Sequence, residues 1–497
     1  MEKTHYAVAL GVLASGVILF RARSSPASTR LPPGPKGLPL IGNVADLPTT
    51  QAWVKFTELG RKYGGIVYLK ALGSSIIILN DAKYALDMLD KKGRKYSDRP
   101  TLTMAGDLVG WGEGPALIPF SDSKWSDYRR LFAQFMGSKS KIDSFQSVLQ
   151  DEARILINNL RADPKKWTKH GRRIVLKIAY GYTVELENDP LVKLVDDAMD
   201  QFSETTAPNA FMVDIVPILR FVPQWMPGAG WKRKAAAYRD TLTDMLDAPY
   251  IMVKQRMAAG TAKPSFVFNA LENTTPDPNT ERTIQWAAAG IYSGGADTTA
   301  AGLECFILAM TLHVAEQTQA QAELDAVLGF GTLPALSDRS RLPYVEALCT
   351  EVLRKYTFGP IGLPHVAADD DEHEGYFIPK GTVIITNVWQ FFNDPKTYKD
   401  PEVFNPGRFL LNSGNDKETD PRQYLFGFGR RRCPGIHLAD ASMWLACASI
   451  LAFLDVRPPL KDGKLILPDA RFMDGSISHP APFECIIRSR AGLPSSI

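Results

Sequence analysis

Apolar residues recur at the helical period along most of this chain, and the longest such run covers residues 280–310. It predicts a helix of roughly 45 Å at 1.5 Å rise per residue. Its middle, Gly294-Gly295-Ala296-Asp297-Thr298-Thr299, is full of poor helix formers. A kink is expected there, leaving carbonyls unpaired and room for a small ligand. An acid beside an alcohol inside an apolar helix is costly unless hydrogen-bonded. Helical spacing also marks residues 81–92, 125–135, 145–183, 343–356 and 436–454. Strand-like runs are short: 66–69 and 76–79 flank Gly73 as a hairpin, and 377–386 reads as a turn and strand. The pattern is mainly α with a small β region.

Composition narrows the classes. At 45% hydrophobic and 22% charged, the chain has ample material for a large core, and 497 residues alone suggest two or three domains. A net charge of +3 with no basic tract argues against nucleic acid. Five scattered cysteines without a C-x-x-C pair argue against a disulfide framework or a zinc site and suit a reducing compartment.

Tyr6 to Phe20 is an uncharged apolar run followed by Arg21, Arg23 and Arg30. It is shorter than the roughly 20 residues of an untilted span, so a cleaved signal peptide competes. Positive charge on its C-terminal flank favours an uncleaved anchor with a cytosolic body. The prolines of residues 31–39 predict a stiff, extended spacer. Residues 211–231, apolar, Trp-bearing and proline-broken, are either core or a surface that dips into a membrane.

One stretch carries chemistry. Phe426-Gly427-Phe428-Gly429-Arg430-Arg431-Arg432-Cys433-Pro434-Gly435 sets a cysteine in a glycine-punctuated, arginine-flanked loop before an apolar helix. Gly429 and Gly435 permit angles or close approaches that a side chain forbids. Three arginines and a helix N-terminus lower the cost of a thiolate. Cys305 and Cys447, in apolar helical sequence, read instead as buried structural thiols.

Phe426, Gly429, Arg431, Cys433 and Gly435 stand at the spacing F-x-x-G-x-R-x-C-x-G, which resembles the haem-binding signature of the cytochrome P450 family. The resemblance implies that Cys433 is the axial thiolate of a haem b iron, pushing electron density toward O–O cleavage, with Phe426, Arg431 and Gly435 in the haem site. Trp125 and Arg129, one helical turn apart, match W-x-x-x-R; the default is a surface pair, but the resemblance makes both donors to a haem propionate. Residues 294–298 match [AG]-G-x-[DE]-T, which implies that Thr298 holds the activated oxygen and Asp297 relays protons. Glu351-x-x-Arg354 with Arg408 completes the family's structural Glu–Arg–Arg network. Three positions depart from the pattern: Gly407 for a frequent Glu, Val314 for a helix-breaking proline, and His365 for a propionate-binding Arg. A histidine there still donates, with a pH-dependent charge.

The resemblance covers residues 1–497: an anchor over 1–24, a proline-rich hinge over 25–45 and a haem-thiolate domain over 46–497. It implies the cytochrome P450 fold, with haem between the long central helix and the cysteine loop. The activity implied is a monooxygenase on the endoplasmic reticulum membrane, single-pass, catalytic domain cytosolic. Electrons would come from NADPH through an FMN/FAD reductase, with cytochrome b5 as a second donor. Lys124, Arg130, Arg430 and Arg432 are candidates for the basic docking face. The chain looks most like fungal members acting in secondary metabolism or on aromatic compounds. A reductase-independent isomerase or dehydratase and a non-enzymatic haem sensor are the rivals; the Asp297-Thr298 pair argues against both.

The substrate pocket is expected to take Met104, Leu108, Trp111, Leu117 and Phe120 from the loop over 101–120. Phe358, Ile361 and Leu363 join them, with Ile477 from the last loop. Burying an unpaired charge against such a wall costs several kcal/mol, so a neutral apolar substrate of terpenoid, steroid or polycyclic aromatic type is expected. Asp474 is the nearby charge that could hold an amine and turn the reading to an alkaloid. Asn273-Thr274-Thr275 is a sequon that Pro276 and a cytosolic placement argue against.

Overall fold

The hairpin expected around Gly73 forms from β1 (Ile66–Ala71) and β2 (Ser74–Leu79), paired antiparallel with Ala71 opposite Ser74. The two-residue turn needs positive φ at both positions, and Leu72 (49°) and Gly73 (88°) supply it. The computed structural model describes residues 30–163, 169–184, 189–206, 210–272, 275–411 and 417–493. The anchor over 1–24, the hinge's first residues and the sequon's Asn273 and Thr274 lie outside the described residues.

Two short strands, β3 (His365–Val366) and β4 (Val383–Thr386), extend the hairpin into a sheet of order β1-β2-β4-β3. The proline-rich stretch is extended as predicted, but it lies against this sheet. Tyr68 N donates to the Pro33 carbonyl at 2.9 Å and Asn43 N to the Lys70 carbonyl at 2.6 Å. A Cβ at Gly34 would stand 1.9 Å from the Tyr68 carbonyl oxygen, so only glycine passes there.

Helices make the larger part. They include α1 (Ser123–Met136), α2 (Gln146–Ala162), α3 (Lys169–Tyr180), α4 (Pro190–Thr206), α5 (Gly230–Ala258), α6 (Pro278–Leu312), α7 (Val314–Leu328), α8 (Pro343–Lys355) and α9 (Ile436–Phe453). The central helix α6 starts where Asp277 accepts the Asn279 amide (2.9 Å) and the Thr280 amide (3.3 Å), with Pro278 in the first turn. It ends at a 104° bend into α7 without the usual proline. His313 makes the break, stacking on Phe404 at 4.1 Å and sharing a 2.7 Å hydrogen bond with the Tyr356 hydroxyl. α9 is long and apolar enough to cross a membrane, but it is mostly buried in the core under α6 and α2.

The helix assignment of α6 runs unbroken from 278 to 312. Its glycines make the room. A Cβ at Gly290 would meet Pro115 at 2.7 Å and one at Gly295 would meet Val175 at 2.6 Å, whereas one at Gly294 would meet nothing within 4 Å. Neighbouring elements thus close on two glycines, and the third opens on space.

Glu351, Arg354 and Arg408 form the expected network, with side chains 0%, 0% and 3% exposed. Arg354 grips Glu351 through two 2.7 Å bonds and also donates to the carbonyls of Phe392, Pro401 and Val403. Arg408 reaches Glu351 at 3.3 Å. Where Gly407 leaves no carboxylate, Glu418 takes its place, 2.7 Å from Arg408. This network ties α8 to the segment that leads into the cysteine loop. Removing one partner of a buried pair costs about 3–5 kcal/mol, whereas the partly exposed Glu418 contact is expected to be worth about 1 kcal/mol or less. Urea unfolding should therefore rank Arg408→Ala as far more damaging than Glu418→Gln; equal losses would mean that Glu418, not Glu351, anchors Arg408.

Candidate active site

Local backbone demands shape the cysteine loop. Gly427 (φ 74°) and Gly429 (φ 53°) are left-handed, and a Cβ at Gly429 would stand 2.0 Å from the Leu89 carbonyl oxygen. Gly435 differs from expectation: its φ is −89°, and a Cβ there would sit in ordinary contact, 3.9 Å from the Cys433 sulfur. The loop closes where Cys433 N donates to the Phe426 carbonyl at 2.8 Å.

The sulfur faces opposing influences. Burial raises the Cys433 thiol above its ordinary value, and the Gly435 amide, Arg129 and Arg432 pull it down without winning. The lowered thiol expected from the sequence is thus reversed. The loop by itself holds a thiol, and a cation at the sulfur would invert that balance. Arg430 and Arg431 serve elsewhere. Arg430 lies over the Phe120 ring at 5.6 Å, and Arg431 donates to the carbonyls of Ser97 (2.7 Å), Pro115 and Ile118. Cys305 and Cys447 are buried in the core, as expected.

Beneath the loop lies a charge network that motif reading missed. Asp440, just past the first turn of α9, is gripped by Arg422 and Arg339, each at 2.6 Å, and both arginines also reach Glu346. Arg432 donates to the Arg422 carbonyl at 3.3 Å. The sequence shows no motif for this set, because its members come from four separate segments.

Above the loop, a cavity of about 490 Å³ extends to α6 and is lined on one side by Phe426, Arg431, Cys433 and Gly435. Thr298 and Asp297 face it from α6, and Trp125 and Arg129 from α1. Trp125 packs edge-on to Phe120 at 4.6 Å and under the Arg431 guanidinium at 5.8 Å. Arg129 donates to the Arg432 carbonyl at 2.7 Å.

Arg99, Arg129, Arg431 and His365 are among the nitrogen-bearing side chains that border this cavity. Burial together with Arg431 lowers the Arg99 guanidinium to about 9. Burial lowers Arg431 to about 10, with Asp98 opposing and Arg129 adding to the fall. Arg99 donates to the Leu363 and Pro364 carbonyls at 2.8 and 2.7 Å. Cations gathered in a desolvated edge and bonded to neutral carbonyls are suited to receive anions. The two propionates of a haem answer that need, and a flat macrocycle would lie over the sulfur. These residues fit a haem.

His365 is the weakest of the four as a donor. Its Nδ1–H donates to the Tyr96 carbonyl at 2.6 Å, and burial, reinforced by Arg99, holds the ring neutral with its value lowered to about 3. Nε2 then presents a lone pair to the cavity, not a proton. Donating to a propionate would require a second proton there.

On α6, Thr298 Oγ1 donates to the Gly294 carbonyl at 2.7 Å and stays at the cavity. Asp297 is held by a residue that the sequence reading did not single out. His479 Nε2 lies 3.1 Å from Asp297 Oδ1, and its Nδ1 lies 2.8 Å from Glu304 Oε2.

Of the predicted lining, Trp111, Leu117, Phe358, Ile361, Leu363 and Ile477 border the cavity. Met104, Leu108 and Phe120 do not. The segment over 101–120 coils into helical turns at Thr103–Val109 and Trp111–Glu113, which turn Met104 into the core. Asp474 is likewise elsewhere, accepting the Gln51 amide on the surface.

Comparison with known proteins gives the same family. The cytochrome P450 family model matches residues 32–486. A cytochrome P450 monooxygenase 208 of Postia placenta is 46% identical over 95% of this chain and 93% of its own length. Cytochrome P450 monooxygenase claR of Ampulloclitocybe clavipes is 40% identical over 93% and 87%, and a tryptamine 4-monooxygenase of Psilocybe cyanescens is 36% identical over 96% of each.

The site yields one direct test. Cys433→Ser should abolish the thiolate-type Soret band of the reduced carbon monoxide complex, and Cys447→Ser should keep it. A band surviving in Cys433→Ser would remove that sulfur as the ligand.

Proposed function

Because the chain belongs to the cytochrome P450 family, we propose that it inserts one oxygen atom of O₂ into a neutral, apolar small molecule, with electrons from NADPH through a flavin reductase. The observation that carries the reading is the apolar cavity between Cys433 and α6 with Thr298 and Asp297 at its edge. Haem bound through the Cys433 thiolate would supply the oxygen-cleaving chemistry. The chain's own residues do the rest. Phe358, Ile361 and Ile477 exclude water and orient an apolar substrate. Thr298 offers a hydroxyl at the place where oxygen is activated, and Asp297 supplies protons beside it. The isomerase reading is weaker, because such a rearrangement has no use for that pair.

The carboxylates bordering the cavity support a neutral substrate. Asp440 is taken by Arg339 and Arg422, and Asp297 by His479. An ammonium would have to displace the His479 contact, so an alkaloid substrate of the kind named for the tryptamine relative is the second reading.

The membrane reading draws on residues 211–231. The stretch is divided: Val213 and Ala229 are buried in the core, whereas Trp225 is 79% exposed and Phe221 72%. An exposed apolar surface of this kind suits a bilayer, so we assign the endoplasmic reticulum face to it together with the anchor over 1–24. Lys124, Arg130, Arg430 and Arg432 are offered as the reductase-facing cations, and cytochrome b5 as an alternative donor to the same face. Arg130 is already paired with Asp127 at 2.9 Å, which weakens its share.

Three experiments test these points. Difference-spectrum titrations should give tighter dissociation constants for a neutral terpene or arene than for an amine of equal size. Turnover under ¹⁸O₂ with a reductase should then place one labelled atom in the product. Tighter amine binding that collapses in Asp297→Asn would replace the apolar reading with the alkaloid one, and unlabelled product would favour the isomerase. For the membrane, deleting residues 1–24 should move much of the haem-loaded protein to the soluble fraction. Residual binding that disappears with Trp225→Ser and Phe221→Ser would implicate the second surface.

A further inference from the structure

Asp297 and Glu304 lie two turns apart on α6, and His479 bridges them from the last loop. Both ring nitrogens point at carboxylate oxygens, so the ring donates to both only as an imidazolium. The two carboxylates raise His479 to about 9, against the opposing effect of burial. The loop that carries it is fastened on several sides. Met473 N donates to the His479 carbonyl at 2.8 Å, Ser478 N to the Phe358 carbonyl at 2.8 Å, and Ser478 Oγ to the Met473 carbonyl at 2.6 Å. The ring is therefore fixed in position.

Resting on the oxygen-activation reading of Asp297 and Thr298, we propose that His479 is the positioning residue for Asp297 and stores the proton that Asp297 passes on, with Glu304 orienting the ring. The step balances simply. The Nε2 proton moves to Asp297 Oδ1, leaving a neutral imidazole whose Nδ1–H still donates to Glu304. Asp297 then delivers that proton toward Thr298 and returns to a carboxylate, and Nε2 recharges from solvent. The other charged groups near Asp297 form a pair of their own, Arg172 and Asp196 at 2.8 Å, from α3 and α4. Among the described residues, His479 is thus left to hydrogen-bond the Asp297 carboxylate.

The sign of the pH effect follows from the raised value. The imidazolium's contribution is complete below the ordinary histidine value of about 6.5 and is lost as pH rises through about 9. A proton store of this kind fails on the alkaline side.

The test uses the haem-loaded full chain. In ¹³C-histidine-labelled protein, in the reduced carbon monoxide complex, the resonance missing in His479→Gln should titrate well above 6.5. In Glu304→Gln it should move down by about one unit, a tenfold loss of proton affinity. With reductase and naphthalene as the neutral probe, peroxide released per NADPH should rise with pH in the wild type. The midpoint of that rise should shift down by the same amount in Glu304→Gln, and in His479→Gln the release should be several-fold higher at neutral pH and flat with pH. A merely structural histidine would leave the midpoint unmoved in Glu304→Gln, and that result overturns the proposal. So does a wild-type His479 titrating near 6.5. Thr298→Ala separates the two readings: if it leaves peroxide release unchanged while His479 titrates as expected, the oxygen-activation reading has failed and not the charge triad.

Discussion

Burial acts on a thiol and three guanidiniums around one cavity, and in each of the four it opposes the charged form. That shared desolvation is the constraint on which the rest depends. A folded chain does not collect Arg99, Arg129 and Arg431 beside an apolar space for stability, because like charges there repel and lose hydration. Their hydrogen bonds to backbone carbonyls hold the side chains in place but do not neutralise them. A metal-bearing macrocycle with two carboxylates would resolve both problems: the carboxylates would pair the arginines, and the metal cation would favour the thiolate.

The scaffold is arranged to bear that cost. The buried Glu351–Arg354–Arg408 network and the Arg339–Asp440–Arg422 network brace the cysteine loop from two directions. Their effect is to fix the loop's backbone, so that the Gly435 amide and Arg432 stay aimed at Cys433. The glycines of α6 do the complementary work on the other wall, letting Pro115 and Val175 approach at Gly290 and Gly295 while Gly294 stays open.

What could be read from sequence was what local physics decides. The hairpin at Gly73 and the helix pair Glu351/Arg354 follow from turn chemistry and spacing, whereas periodicity placed the start of α6 at residue 280 and passed over its cap at Asp277-Pro278. The resemblance supplied Cys433, Trp125, Arg129 and Thr298 as candidates, and the fold brings all four to one cavity. Long-range partners were not legible. Glu418 replaces the carboxylate missing at Gly407 from eleven positions on, and no periodicity announces that. Met104 was misassigned because the segment over 101–120 reads as a loop, whereas its helical coiling decides which side chains face inward. The poor helix formers in the middle of α6 do not interrupt it, because packing at Gly290 and Gly295 overrides propensity there.

The last loop shows how closely two tasks are joined. Ile477 borders the cavity and His479 holds Asp297, only two residues apart, while Ser478 between them is pinned to the Phe358 carbonyl. Phe358 itself borders the same cavity. An object that pushes on Ile477 or Phe358 therefore bears on the segment that fixes the His479 ring. Because Asp297 Oδ1 is 3.1 Å from that ring, near the outer end of hydrogen-bond distances, small displacements of the loop change the contact strongly. On the proposed reading, the shape of the bound molecule and the position of the proton donor would be linked through this one short segment, and a poorly fitting guest would degrade proton supply without touching Thr298 or Asp297.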